Sequence, residues 1–188
     1  MEMRKLKLVV LTALFLGACE GDYTPKPKGY FRIDMPSAEY QEFNTDCPFH
    51  FDFNKVASLK DKGRCWYDIK YPRLEATLQL TYRQVTEDNL DTLLYEGHEL
   101  AYKHTVKADG IDEKLYIDEQ KRVYGLLYQL KGDAATSMQF FMTDSTDHFL
   151  RGVLYYYASP NADSLKPVND FMRGEMIRMI ESLEWENS

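Results

Sequence analysis

The residue with the most definite chemistry is Cys19. It ends Leu16-Gly17-Ala18-Cys19, behind a short apolar run that follows Arg4, Lys5 and Lys7. A basic start, an apolar run and small residues directly before a cysteine make a lipobox, so residues 1–18 read as a signal peptide and the Cys19 thiol as the lipid acceptor. The apolar run falls short of the ~20 residues that a membrane-spanning helix needs. Several acyl chains hold a protein on a membrane far more firmly than one, so the mature chain is expected to be lipid-anchored.

Export changes how the other cysteines read. Cys47 and Cys65 remain, and in an oxidising compartment an isolated pair favours a disulfide. Closing that segment would stabilise the fold by roughly 3 kcal/mol. Free thiols are one alternative. A redox or metal pair is another, although the chain has no C-x-x-C and no second cysteine–histidine cluster at ligand spacing.

No other constellation assembles. The chain lacks G-x-S-x-G, a phosphate loop, H-E-x-x-H and G-x-G-x-x-G. His98 and His104 fall well apart around a helix, His50 lies on the polar side of a strand, and His148 is placed in a loop. The chain is therefore expected to be non-enzymatic, with no cofactor, metal or catalytic residue assigned. Tyrosines are numerous, among them Tyr67, Tyr71, Tyr95, Tyr102, Tyr128 and the run Tyr155-Tyr156-Tyr157. Exposed, they suit protein or glycan contacts; packed, they fill a half-buried sheet.

The elements that carry these residues follow from periodicity. Residues 19–29, with Pro25 and Pro27, form an extended tether, and residues 30–188 a single globular domain. Alternation predicts strands at residues 30–35, at Phe49, Phe51 and Phe53, at Cys65 to Tyr71, and from Leu74 to Tyr82. Helical spacing then takes over: Thr86 is read as an N-cap, and Leu90, Leu93, Leu94, Gly97 and Ala101 share a face. Further strands are expected at 114–119, 123–130, 138–143 and 150–158. Residues 159–167 are expected to form a loop, followed by a terminal helix ending near Trp185. Strands grouped this way define an α+β fold, a mostly antiparallel sheet packed with two amphipathic helices on one face or on both. Hydrophobic residues at 44% suffice for a core. Loss of residues 1–18 moves the formal charge from −7 to −9, which argues against nucleic acid and anionic lipid as partners.

The lipobox followed by Tyr23-Thr-Pro-Lys-Pro-Lys-Gly-Tyr-Phe-Arg-Ile-Asp-Met-Pro36, with Cys47-Pro-Phe and Cys65-Trp-Tyr-Asp-Ile-Lys-Tyr-Pro72, resembles the gliding-motility-associated lipoprotein GldD family of the Bacteroidota. The resemblance implies a non-enzymatic accessory or scaffold of the gliding and type IX secretion apparatus in the cell envelope, with other envelope components as partners. It carries no catalytic residue over. The element order is also similar to the PsbP-like α/β/α sandwich, a likeness of fold alone. The lineage attaches O-glycans at Asp-Ser/Thr, so Ser145, Ser164 and Thr92 become candidate acceptors, the first two in expected loops. A periplasmic carrier or sensor of a small apolar or glycan ligand is the rival function, and an envelope hydrolase a third. The residues after Cys19 lack a Lys-plus-double-acid export signal, which favours the periplasmic face.

Overall fold

The computed structural model describes residues 34–103, 108–132, 136–157 and 162–186. The expected signal peptide, Cys19, the tether, residues 30–33 and His104 lie outside them. In chain order the strands are β1 (Tyr40–Glu42), β2 (Phe49–His50), β3 (Asp52–Asn54), β4 (Ser58–Asp61), β5 (Tyr67–Tyr71) and β6 (Ala76–Gln84). Helix α1 (Leu90–Lys103) follows, then β7 (Ala108–Asp118), β8 (Val123–Gly132), β9 (Met138–Thr143) and β10 (His148–Tyr156). Helix α2 (Ala162–Ser182) and β11 (Glu184–Trp185) close the chain. The compact unit that holds these elements begins at Arg32.

Seven strands form one antiparallel sheet in the order β4-β5-β6-β10-β9-β8-β7. The chain enters as a meander, crosses the sheet through α1 to the far edge, and meanders back until β10 pairs with β6. Alternate residues of the strands serve two cores. Leu78, Leu80, Leu127, Phe140, Met142 and Leu150 meet Met172, Met176, Met179 and Ile180 of α2. Tyr128, Leu130, Phe141 and Phe149 meet Leu93 and Ala101 of α1. The helices therefore lie on opposite faces, and the α+β fold is layered helix–sheet–helix. Gly97 lets α1 approach closely, since a Cβ there would stand 3.1 Å from the Phe141 ring.

The phenylalanine alternation holds: Phe49, Phe51 and Phe53 are buried while His50 and Asp52 are partly exposed. The segment breaks at Phe51, however, so that β3 pairs with β1 and β2 pairs with β11. Several other expectations are corrected. Asp34 and Met35 are outside any strand. Residues 72–74 form a 3₁₀ turn, because Pro72 lacks the N–H a strand ladder needs and Glu75 is left-handed (φ 48°), so the strand starts at Ala76. The helix cap is Asn89 rather than Thr86: the Asn89 carbonyl accepts the first helical bond from Leu93 N–H at 2.9 Å. Helix α2 begins at Ala162 with Pro167 inside it. A proline there forfeits one bond near the helix start, and the long buried stripe that follows outweighs it. Trp185 sits in a strand, beyond the helix it was expected to end.

Candidate functional site

Cys47 and Cys65 are joined in a disulfide with their Cα atoms 5.6 Å apart. It ties the turn before β2 to the loop leading into β5, beside the stacked rings of Phe43, Phe49 and Phe51. In that loop Gly63, Arg64 and Cys65 all adopt positive φ (79°, 59° and 59°). Glycine does so freely, whereas the other two are held there against a backbone penalty.

The three described histidines do not converge. His50 Nε2 meets Glu186 Oε1 at 3.0 Å. His98 Nδ1 is 3.0 Å from the Tyr128 hydroxyl. His148, expected in a loop, opens β10, stacks on Trp185 and is 2.9 Å from the Tyr82 hydroxyl. Among the described residues no group of three or more His, Cys, Asp or Glu is placed to hold a metal.

The candidate acceptors fare differently. Ser145 is exposed at the tip of the β9–β10 hairpin, with φ 68°. Thr92 is exposed on α1. Ser164, expected in a loop, lies in the first turn of α2, because that helix starts before Pro167. The Ser145 hairpin is built on Asp144. Burial pushes the Asp144 carboxyl up, but N–H bonds from Asp147, His148 and Thr146 and the Thr146 hydroxyl outweigh that and hold it below its usual range.

A second buried carboxylate, Glu175 of α2, takes its bonds from residues far away in the chain. It accepts the Tyr40 hydroxyl at 3.1 Å, the Tyr71 hydroxyl at 3.1 Å and an Asn54 amide N–H at 3.3 Å. These donors come from β1, β5 and β3, so one carboxylate ties three strands to the helix. Next to it Arg178 pairs with Asp52 and lies over the Tyr40 ring. The sequence signal for Glu175 was its place in the buried stripe, seven residues past Val168 and four before Met179.

Burial, with the Glu175 charge next, pushes the Tyr71 phenol above its usual range. Burial pushes Tyr156, whose hydroxyl donates to Asn169 Oδ1, up to about 12. An unfolded tyrosine ionises near pH 10. Above that pH the unfolded chain sheds protons the native one keeps, so stability present below about pH 10 drains away as pH rises. The expected slope is on the order of 1.4 kcal/mol per pH unit for each tyrosine kept protonated. In an alkaline titration, part of the 14 tyrosines should ionise only together with loss of the circular dichroism signal. Smooth ionisation of all of them before unfolding would refute this.

Two surfaces remain. One is the outer edge of β7, where Leu115 and Ile117 are each 62% exposed. The other is a groove beside α1, lined by Trp66, Thr81, Arg83, Glu96 and Arg151. Tyr95, Tyr102 and Tyr157 are exposed, whereas Tyr67, Tyr71 and Tyr128 pack into the sheet. No described helix is long and apolar enough to cross a membrane.

A helix–sheet–helix α+β domain closed by a disulfide is the class of protein these features define, one suited to an oxidising compartment. Residues 20–185 match the family model of the gliding motility lipoprotein GldD, and the chain belongs to that family. Membership makes it a lipoprotein associated with gliding motility, held to the cell envelope by a lipid anchor. No curated protein matches the chain.

Proposed function

We propose that this protein is a non-enzymatic scaffold of the gliding-motility and type IX secretion machinery, anchored through Cys19 and facing the periplasm. The observation that carries the reading is the outer edge of β7, with which no other described strand pairs. This strand runs from Ala108 to Asp118, pairs with β8 on one side, and ends the sheet. Every second residue of such an edge points its N–H and C=O outward, ready for a partner's strand. Natural sheets usually protect edges this long with charge or a covering loop; charged residues do flank this one, yet Leu115 and Ile117 stand exposed between them. The occupant is an extended segment of another envelope protein carrying Lys or Arg. Asp109, Asp112, Glu113, Asp118 and Glu119 lie along this stretch with Lys114 among them and Lys131 of β8 paired to Asp112, so its balance is acidic and opposite charge would set its register.

A photo-crosslinker at Ile117 in living cells should trap one envelope partner, while one at exposed Glu181 on α2 should not. Leu115→Lys with Ile117→Lys should abolish that adduct and cell spreading at an unchanged protein level. Normal spreading of that variant, or identical adducts at both positions, would sink the reading. Protease shaving of intact cells tests the orientation: a periplasmic domain stays protected.

A further inference from the structure

Helix α1 covers only part of its face of the sheet. Its apolar side rests on Tyr128, Leu130, Phe141 and Phe149. Beyond that contact, Thr81 and Arg83 of β6 and Arg151 of β10 line a groove of about 140 Å³ between Glu96 and Trp66. It continues past Trp66 and Arg83 to Arg64 in an open hollow of about 480 Å³. Arg151 is paired across the strands with Thr81, and Phe149 with Arg83, so both guanidinium stems rise from one face.

Three properties set this groove apart from ordinary polar surface. First, it gathers arginines in a chain whose formal charge is −7. Among the described residues none of Arg64, Arg83 and Arg151 forms an ion pair, and Arg151 donates instead to the neutral Gln139 amide oxygen at 2.6 Å. Burial pulls the Arg151 guanidinium below its usual range, so its charge is poorly solvated and an anion would relieve it. Second, Trp66 stands 37% exposed, with its indole N–H donating to the Tyr82 carbonyl at 2.9 Å. Third, the backbone that presents Trp66 is over-determined. The left-handed run from Gly63 to Cys65 is closed by the disulfide, by Lys62 N–H on the Trp66 carbonyl at 2.9 Å, and by Gly63 N–H on Asp61 Oδ1 at 2.6 Å. Penalties of this kind persist where the surroundings fix them, and they collect at ligand clamps.

We infer that this groove binds an acidic saccharide, with the apolar face of a sugar ring against Trp66 and its carboxylate or phosphate held by Arg64, Arg83 and Arg151. Guanidinium groups match both anions through paired N–H donors. A fixed aromatic ring offers contact area at little entropic cost. Thr81 and Glu96 supply partners for sugar hydroxyls, and the carboxylate of Glu96 leaves the groove with an excess of positive charge. The site lies over β6 and β10, with β9 and β8 between it and β7 in the sheet order, so it stands independently of the scaffold reading.

The test uses the full-length lipoprotein in a neutral detergent, with fluorescence as readout. Of the two tryptophans Trp185 is only 6% exposed, so quenching reports on Trp66. Oligogalacturonate and glucose 1-phosphate separate a carboxylated polysaccharide from a phosphorylated sugar as the source, and saturable quenching by either supports the site. Maltohexaose, which is neutral, should bind at least about tenfold more weakly. Arg64→Gln with Arg83→Gln, both exposed and safe for folding, should weaken binding by about ten- to a hundredfold, the loss of one or two charge-assisted bonds. The inference is overturned if neither acidic sugar quenches, or if oligoglutamate or inorganic phosphate binds as tightly as the acidic sugars. It is equally overturned if the double arginine variant binds normally. A crosslinked partner at Ile117 would survive any of these results.

Discussion

Replacing Cys47 and Cys65 together by alanine should cost this domain about 3 kcal/mol, the chain entropy released by opening a loop of sequence separation 18. For a domain of this size that is a fall in Tm of roughly 6–12 °C. Alanine is the right replacement because Cys47 is 4% exposed, and serine would bury a hydroxyl. Reduction of the wild-type protein should reproduce the shift, which separates the missing bond from the missing sulfur atoms. The effect also has a local side. Arg64 and Cys65 hold positive φ next to the bridge. Without it, the loop should relax toward the ordinary right-handed and extended regions, and Trp66 should move with it. Its emission should therefore shift in the reduced protein at temperatures where the circular dichroism is still native. A thermal midpoint unmoved by reduction would show that the loop is held by its hydrogen bonds and the aromatic stack alone.

Periodicity exposed the parts of this fold in which one face is buried and the other wet. Phe49, Phe51 and Phe53, the β6 alternation and the Leu93–Gly97–Ala101 stripe of α1 were all readable, because burial imposes the period on each. Ordering of strands against helices then led to an antiparallel α+β fold. What escaped was whatever depends on partners distant in sequence. Whether the helices share a face is decided by the α1 crossover from β6 to β7, on which composition is silent. The Trp185 strand exists only because β2 lies beside it, with Trp185 paired to Phe49, 136 residues away in the chain. Pro167 argued for a loop by local rules, and the tertiary packing of Val168, Met172 and Met176 overrode it. The polar face of β6 read as solvent-exposed, which is correct for Gln79. Only the register with β10 brings Arg83 and Arg151 to the same groove. The anchor chemistry expected of Cys19 rests on a motif of a few neighbouring residues, whereas the working surfaces depend on residues distant in the chain.

Glu175 is where removing one side chain should reach furthest through the domain. Changed to leucine, it would leave the Tyr71 hydroxyl and one Asn54 amide N–H without an acceptor, and both residues are at most 2% exposed. A buried donor so orphaned costs about 1–3 kcal/mol. Tyr40 is less enclosed and can turn to water, and Asn54 keeps its second N–H on the Ser37 carbonyl. Against this stands the relief of no longer burying a carboxylate, and the leucine's own burial. Replacing an entire buried polar network by apolar groups can come out neutral, but removing one member of it does not. The loss therefore wins, at about 3 kcal/mol. Glu175→Gln, which keeps an acceptor oxygen and an amide that the Tyr71 oxygen can accept, should cost about 1 kcal/mol, the difference between charged and neutral bonds. The decisive measurement is the double variant. Glu175→Leu with Tyr71→Phe removes the orphaned hydroxyl along with its acceptor, so urea unfolding should find it more stable than Glu175→Leu alone by about 1–2 kcal/mol. If the two single losses simply add, the carboxylate and the phenol are uncoupled, and Glu175 is not what fastens β1, β3 and β5 to α2.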